Sequence, residues 1–203
     1  MNKSDFSIPE GRLQRGSRKI DGYISKFRQV VLRHGLIMTS VVIFCFFSPL
    51  IPSALTSSLF ELFNYPIKYL FYIFLVVTMM VLFIRLTKRE FNYRQLLWIG
   101  YLLVISIVEE IAFRLSIPLL SINIFGVSYL SAIFLSNVLF AAIHYFTLRW
   151  KLSACILAFL GGMGFSRLFS ITDDLALVII LHWAVTFLNT PSAPKANQFF
   201  EKN

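Results

Sequence analysis

The sequence predicts an all-α, polytopic membrane bundle of about six transmembrane helices. Three observations predict it. Apolar residues make up 57% of the 203-residue chain and charged residues only 14%, with a mean hydropathy of +0.73, far from a soluble domain of this length. Apolar runs recur that are long enough, at roughly 20 residues each, to cross a hydrocarbon core. The basic residues gather in the N-terminal stretch and between those runs, so the net charge of +9 points to membrane lipid as a partner and not to nucleic acid.

Residues 1–33 carry Lys3, Arg12, Arg15, Arg18, Lys19, Lys26, Arg28 and Arg33 against Asp5, Glu10 and Asp21, which reads as a basic cytoplasmic tail. No small-residue cleavage site follows, so the first apolar run is expected to be retained. That run extends from about Gly35 to Leu55, broken near its far end by Pro49 and Pro52, with His34 beside Arg33 expected at the membrane edge. Ser57, Ser58, Glu61 and Asn64 suggest a short outer loop. The second span covers Pro66 to Arg85, with Lys68 and Arg85 able to snorkel to opposite interfaces. A basic loop from Arg85 to Glu90 leads to the third span, which begins near Gln95, carries Trp98 and Tyr101 as interfacial residues, and ends around Pro118 to Gly126.

The fourth span runs from Val127 to Phe146 and the fifth from Leu152 to Phe169, separated by Arg149-Trp150-Lys151. The sixth follows Thr172-Asp173-Asp174, whose acids suit a helix N-terminus, and ends near Asn189, before Pro191 and Pro194. Basic and non-basic loops alternate, so the positive-inside rule places both termini in the cytoplasm of a bacterial-type cell. Cys45 and Cys155 lie within apolar runs as small hydrophobes and suggest neither disulfide nor metal.

Val108-Glu109-Glu110-Ile111-Ala112-Phe113-Arg114 places three ionisable groups inside the third span. A charged side chain at the bilayer centre costs about 3 kcal/mol on insertion scales, so such a cluster must be paired or face a polar cavity. Glu110 and Arg114 stand at i and i+4 with the acid first, the favourable order for an ion pair. Glu109 is turned about 100° away and is the carboxylate left to handle a proton. His144 on the fourth span and His182 on the sixth add two further groups. Glutamate and histidine around one water make a general-base arrangement. The set of Glu109, His144 and His182 also admits a divalent metal such as zinc, and the residue types alone do not choose.

Glu109-Glu110-x-x-x-Arg114, Phe140-x-x-x-His144 and His182-x-x-x-Thr186 together resemble the three-motif pattern of the CAAX protease and bacteriocin-processing family of intramembrane proteases, the type II CAAX prenyl endopeptidases. Gly161-Gly162-Met163-Gly164 ahead of the last motif adds to the likeness, and without it would read as a close helix-packing face. The resemblance implies an intramembrane endopeptidase acting on a membrane-associated protein or peptide. In it Glu109 and His144 activate water, Glu110 and Arg114 support them, and no cofactor is needed under a glutamate mechanism. His182 then stabilises the oxyanion with the residue four positions on, which is asparagine or aspartate in the family and Thr186 here. Asn189, one turn further, shares that face.

The implied division is a basic tail at 1–33, two helices and a basic loop at 34–94, the catalytic-type bundle at 95–190 and a short tail at 191–203. The alternatives are a catalytically weakened scaffold or immunity-type protein using the same cavity, and a proton-coupled transporter, for which the sequence shows no inverted repeat. With helices drawn at these bounds, Glu109 lies about 20 Å along its span while His144 is about 8 Å from Arg149. The two meet only if helices tilt or the third continues past Arg114 toward Leu120.

Overall fold

The computed structural model describes Ile24 and residues 26–194; most of the basic N-terminal stretch and everything after Pro194 lie outside the described residues. Among the described residues the architecture is helical throughout: α1 Phe27–Cys45, α2 Leu50–Ser58, α3 Phe60–Asn64, α4 Pro66–Leu86, α5 Tyr93–Phe125, α6 Tyr129–Thr147, α7 Leu152–Thr172 and α8 Leu175–Asn189. Five of these, α1, α4, α5, α6 and α7, are long and apolar enough to cross a membrane. Their outward side chains form an apolar surface in which Phe44, Ile67, Leu70 and Leu130 are 63% to 80% exposed. The chain is an integral membrane protein.

The expected sixth span is α8, an apolar helix of 15 residues, which at 1.5 Å per residue is about 22 Å long and shorter than a ~30 Å hydrocarbon core. Leu175, Val178 and Phe187 are fully buried where α8 packs against α4, α5 and α7, while Leu181, Val185 and Leu188 are exposed.

Local chemistry sets most boundaries. Pro66 opens α4 at a position where its missing N–H costs nothing. The side chains of Asn92, Ser128 and Asp174 cap α5, α6 and α8 by accepting from the backbone N–H of Gln95, Ser131 and Leu177. Gly126, with φ of +64°, closes α5, and Asp173 closes α7 in the same left-handed conformation. The Asp173-Asp174 pair thus divides between ending one helix and starting the next.

Two boundaries differ from the expectation, and a third falls at the far end of its expected range. The first helix begins at Phe27 and stops at Cys45, ahead of Pro49 and Pro52, which open α2. Ser57, Ser58, Glu61 and Asn64 lie in α2 and α3, not in a loop. The third helix runs 33 residues without a break, past Pro118 to Phe125. Proline is accommodated by a π-helical turn over Ile111–Ser116, in which the N–H of Ile117 reaches back to the carbonyl of Ala112. Pro118 has no N–H to offer the next carbonyl, that of Phe113, and the hydroxyl of Ser136 on α6 donates to it at 2.6 Å. The paired glutamates stand immediately before this turn.

Trp98 and Tyr101, expected at an interface, are inside the bundle. Trp98 is buried and its indole N–H donates to the carbonyl of Thr190 at 2.7 Å. Gln95 donates to the carbonyl of Pro191, and Arg94 to that of Pro194, which ties the segment after α8 along the start of α5.

Candidate active site

Four helices deliver ionisable side chains to one buried cluster. Glu109 and Glu110 come from α5, His144 from α6, His182 from α8 and His34 from α1. All five are at least nine-tenths buried. The difference in depth suggested by the sequence disappears because α5 is continuous: Nε2 of His144 lies 3.5 Å from Oε1 of Glu109.

Glu109 is surrounded by imidazole. Its Oε1 is 2.8 Å from Nε2 of His34 and 3.5 Å from Nε2 of His144, while Oε2 is 3.5 Å from Nε2 of His182. Glu110 turns to the other side, where Oε2 is 3.2 Å from Nε of Arg114 and Oε1 is 2.6 Å from Nδ1 of His182. Both Glu110 contacts are close but off the hydrogen-bond axis, so they are electrostatic contacts of a fully buried group. The expected i to i+4 pair therefore forms, and His182 joins it. His182 bridges the two carboxylates, with one ring nitrogen toward each.

Aromatic rings fix these groups in place. The guanidinium of Arg114 lies 4.7 Å from the centre of the Phe140 ring, a cation–π distance. Phe140 also packs edge-on against His144, with centroids 4.5 Å apart, and Trp150 covers the same imidazole at 4.5 Å. The carbonyl of Phe140 accepts from Nδ1 of His144 at 2.8 Å, which sets the ring so that Nε2 points at Glu109.

Behind Arg114 the packing is tight at one glycine. A Cβ placed on Gly162 would stand 2.2 Å from Oδ1 of Asn137 and 3.3 Å from Nη2 of Arg114, whereas Gly161 and Gly164 face open space. The glycine run is thus not a uniform packing face. Gly162 alone makes the close approach. Asn137 donates to the hydroxyl of Ser166 at 3.0 Å and to the Ile133 carbonyl at 2.9 Å, joining α6 to α7 beneath the ion pair.

A cavity of about 540 Å³ reaches from Glu109, His144 and His182 toward Arg89, Trp150 and Pro191, with apolar walls that include Leu102, Ile105, Leu157 and Phe165. Thr186 and Asn189 line it as well. Glu110 does not.

His34 corrects the sequence reading. Expected at the membrane edge because Arg33 precedes it, it is 3% exposed and in direct contact with Glu109. It sits in a second π-helical turn, Val31–Gly35, and Gly35 lets the Tyr101 ring approach to 3.3 Å of where a Cβ would be. Asn137 was also overlooked. It shares a helix face with Phe140 and His144 at i, i+3 and i+7, a spacing that would have found it. Among the described residues, one group has metal-binding spacing: His34, Glu109 and His144, whose ligand atoms lie within 4.8 Å of one another. His182 lies 3.5 Å from the other oxygen of Glu109.

Residues 92–188, which contain all three motifs, match the family model described as type II CAAX prenyl endopeptidase, Rce1-like. No curated protein and no solved structure matches the chain.

Proposed function

We propose that the protein is a protease in which Glu109 and His144 activate water for peptide-bond hydrolysis within the membrane, a reading supported by the match of residues 92–188 to the type II CAAX prenyl endopeptidase Rce1-like family model. One observation carries the assignment. Of two adjacent buried carboxylates, only Glu109 meets the cavity, and it does so against imidazoles, while Glu110 is engaged by Arg114. A water between Glu109 and His144 gives a proton to the carboxylate as its oxygen bonds to the scissile carbonyl carbon. The carbonyl oxygen becomes an oxyanion. In this reading His182 stabilises it with both ring nitrogens carrying hydrogen, Nδ1–H toward Glu110 and Nε2–H toward the oxyanion, and the Thr186 hydroxyl supplies a second donor from the same cavity wall. Collapse breaks the C–N bond, and the proton held by Glu109 passes to the departing amine.

The substrate is a membrane-associated protein or peptide, with a prenylated C-terminus or a leader peptide as the two candidate classes. It enters from the cavity end near Arg89 and Trp150, which the basic loops assign to the cytoplasm. Reporters fused at Asn203 and within Thr172 to Asp174 should then fall on opposite membrane sides.

The test is cleavage of both peptide classes by purified protein, with products identified by mass. A new N-terminus in either class supports the proposal. Stable partner binding with no cleavage of either class would replace it with the scaffold reading.

A further inference from the structure

His34 lies outside residues 92–188, yet among the described residues it makes the shortest contact to Glu109, with Nε2 at 2.8 Å from Oε1. With Glu109 ionised, as the proposed function requires, a nitrogen this near a carboxylate oxygen carries a hydrogen, so Nε2 donates to Oε1. The far ring nitrogen is held as well. Nδ1 meets the Thr147 hydroxyl at 2.8 Å, and a hydroxyl either donates to that nitrogen or accepts from it, so it fixes the ring whether the imidazole is neutral or charged.

Helical geometry is bent to make this contact. The helix α1 departs from α geometry at Val31–Gly35, the π turn that contains His34, and α5 departs at Ile111–Ser116, directly after the paired glutamates. Such turns are rare and concentrate at functional sites. A tie between two membrane helices is made by any polar pair. Here the pair is an imidazole and a carboxylate that both line the cavity.

We propose that His34 is a positioning residue for the Glu109 base, supplied by α1 from outside the matched region. The inference rests on the protease reading and deepens it. A catalytic group acts efficiently when a third group orients it, and a hydrogen bond to one oxygen fixes the plane of a carboxylate. His34 takes one of roughly four lone-pair sites on Glu109, so Oε2 and the second site on Oε1 stay open to the water shared with His144. The same N–H supports the negative charge of Glu109 inside a span, where an ionised acid without a donor is costly.

The experiment measures kcat, KM and unfolding temperature for full-length His34→Gln, His34→Asn and His34→Leu in detergent, on whichever peptide class the wild type cleaves. A glutamine amide reaches the place of the imidazole Nε2 and can donate to Glu109, whereas asparagine reaches only the place of Nδ1, beside Thr147. His34→Gln should stay near the wild-type rate, while His34→Asn and His34→Leu should lose about 10- to 100-fold in kcat with KM little changed. Equal kcat for the glutamine and asparagine variants overturns the role. So does failure of all three to fold, which makes His34 a structural tie. Where only His34→Gln folds, Thr147→Val decides: it keeps the imidazole, removes its support and should lower kcat by a smaller factor, and an unchanged kcat overturns the proposal. A wild type that cleaves neither peptide class removes the protease reading itself, an outcome distinct from equal cleavage by the variants.

Discussion

Glu109 and Glu110 are neighbours in sequence and equally buried, at 2% and 0% exposed, yet they live in different chemistry. On the Glu110 side, Arg114 supplies the opposite charge, Phe140 covers the guanidinium, and Asn137 with Gly162 seals the space behind it. On the Glu109 side, His34, His144 and His182 are the ion-pair partners among the described residues, and the carboxylate opens to the cavity. The difference teaches that a single residue step on a helix, about 100° of rotation, is enough to divide a charge that holds structure from one that can exchange protons. His182 links them, touching both acids.

The comparison is easiest to break from the sealed side. Arg114→Ala leaves Glu110 buried without its cation and should cost about 3–5 kcal/mol of stability, read as a large fall in unfolding temperature in detergent and an accompanying loss of activity. Unchanged unfolding with full activity would show that the pair holds nothing together. On the cavity side the expected effect is on rate. Thr186→Val removes the hydroxyl at near-constant volume and should lower kcat about 10²- to 10³-fold, with Thr186→Asn matching or exceeding wild type. Equal rates for the valine and wild-type proteins would remove Thr186 from the oxyanion site.

The smallest expected effect sharpens the sealed side further. Gly162→Ala forces a methyl into Asn137 and should destabilise by about 1–3 kcal/mol, while Gly161→Ala and Gly164→Ala, which meet nothing, should stay within ~0.5 kcal/mol. Thermal unfolding of the three variants side by side decides it; equal losses at all three positions would restore the uniform packing face.

Much of the bundle and the core of the site were legible because their signals are local. The Glu110–Arg114 pair follows from i, i+4 spacing, and the Asp174 cap from an acid before an apolar run. His34 was not legible, because Arg28 and Arg33 made its surroundings read as a tail, whereas α1 starts at Phe27 and winds through a π turn that carries the imidazole inward. Pro118 left the end of α5 open over several residues. Proline ordinarily ends a helix, but a π turn and the Ser136 hydroxyl absorb the defect, and the uninterrupted α5 then brings Glu109 level with His144. Of these compensations the π turns are local, while the Ser136 hydroxyl comes from a different helix.

The central claim is the unequal division between the two acids, and the most direct measurement compares Glu109→Gln with Glu110→Gln for both peptide cleavage and thermal unfolding. Glu109→Gln keeps shape while removing the proton acceptor, so turnover should fall about 10²- to 10⁴-fold with the unfolding temperature nearly retained. Glu110→Gln should do the reverse in kind, lowering stability because Arg114 loses its counter-charge, with turnover surviving in the fraction that remains folded. Full turnover by Glu109→Gln, or identical profiles for the two variants, would contradict the account.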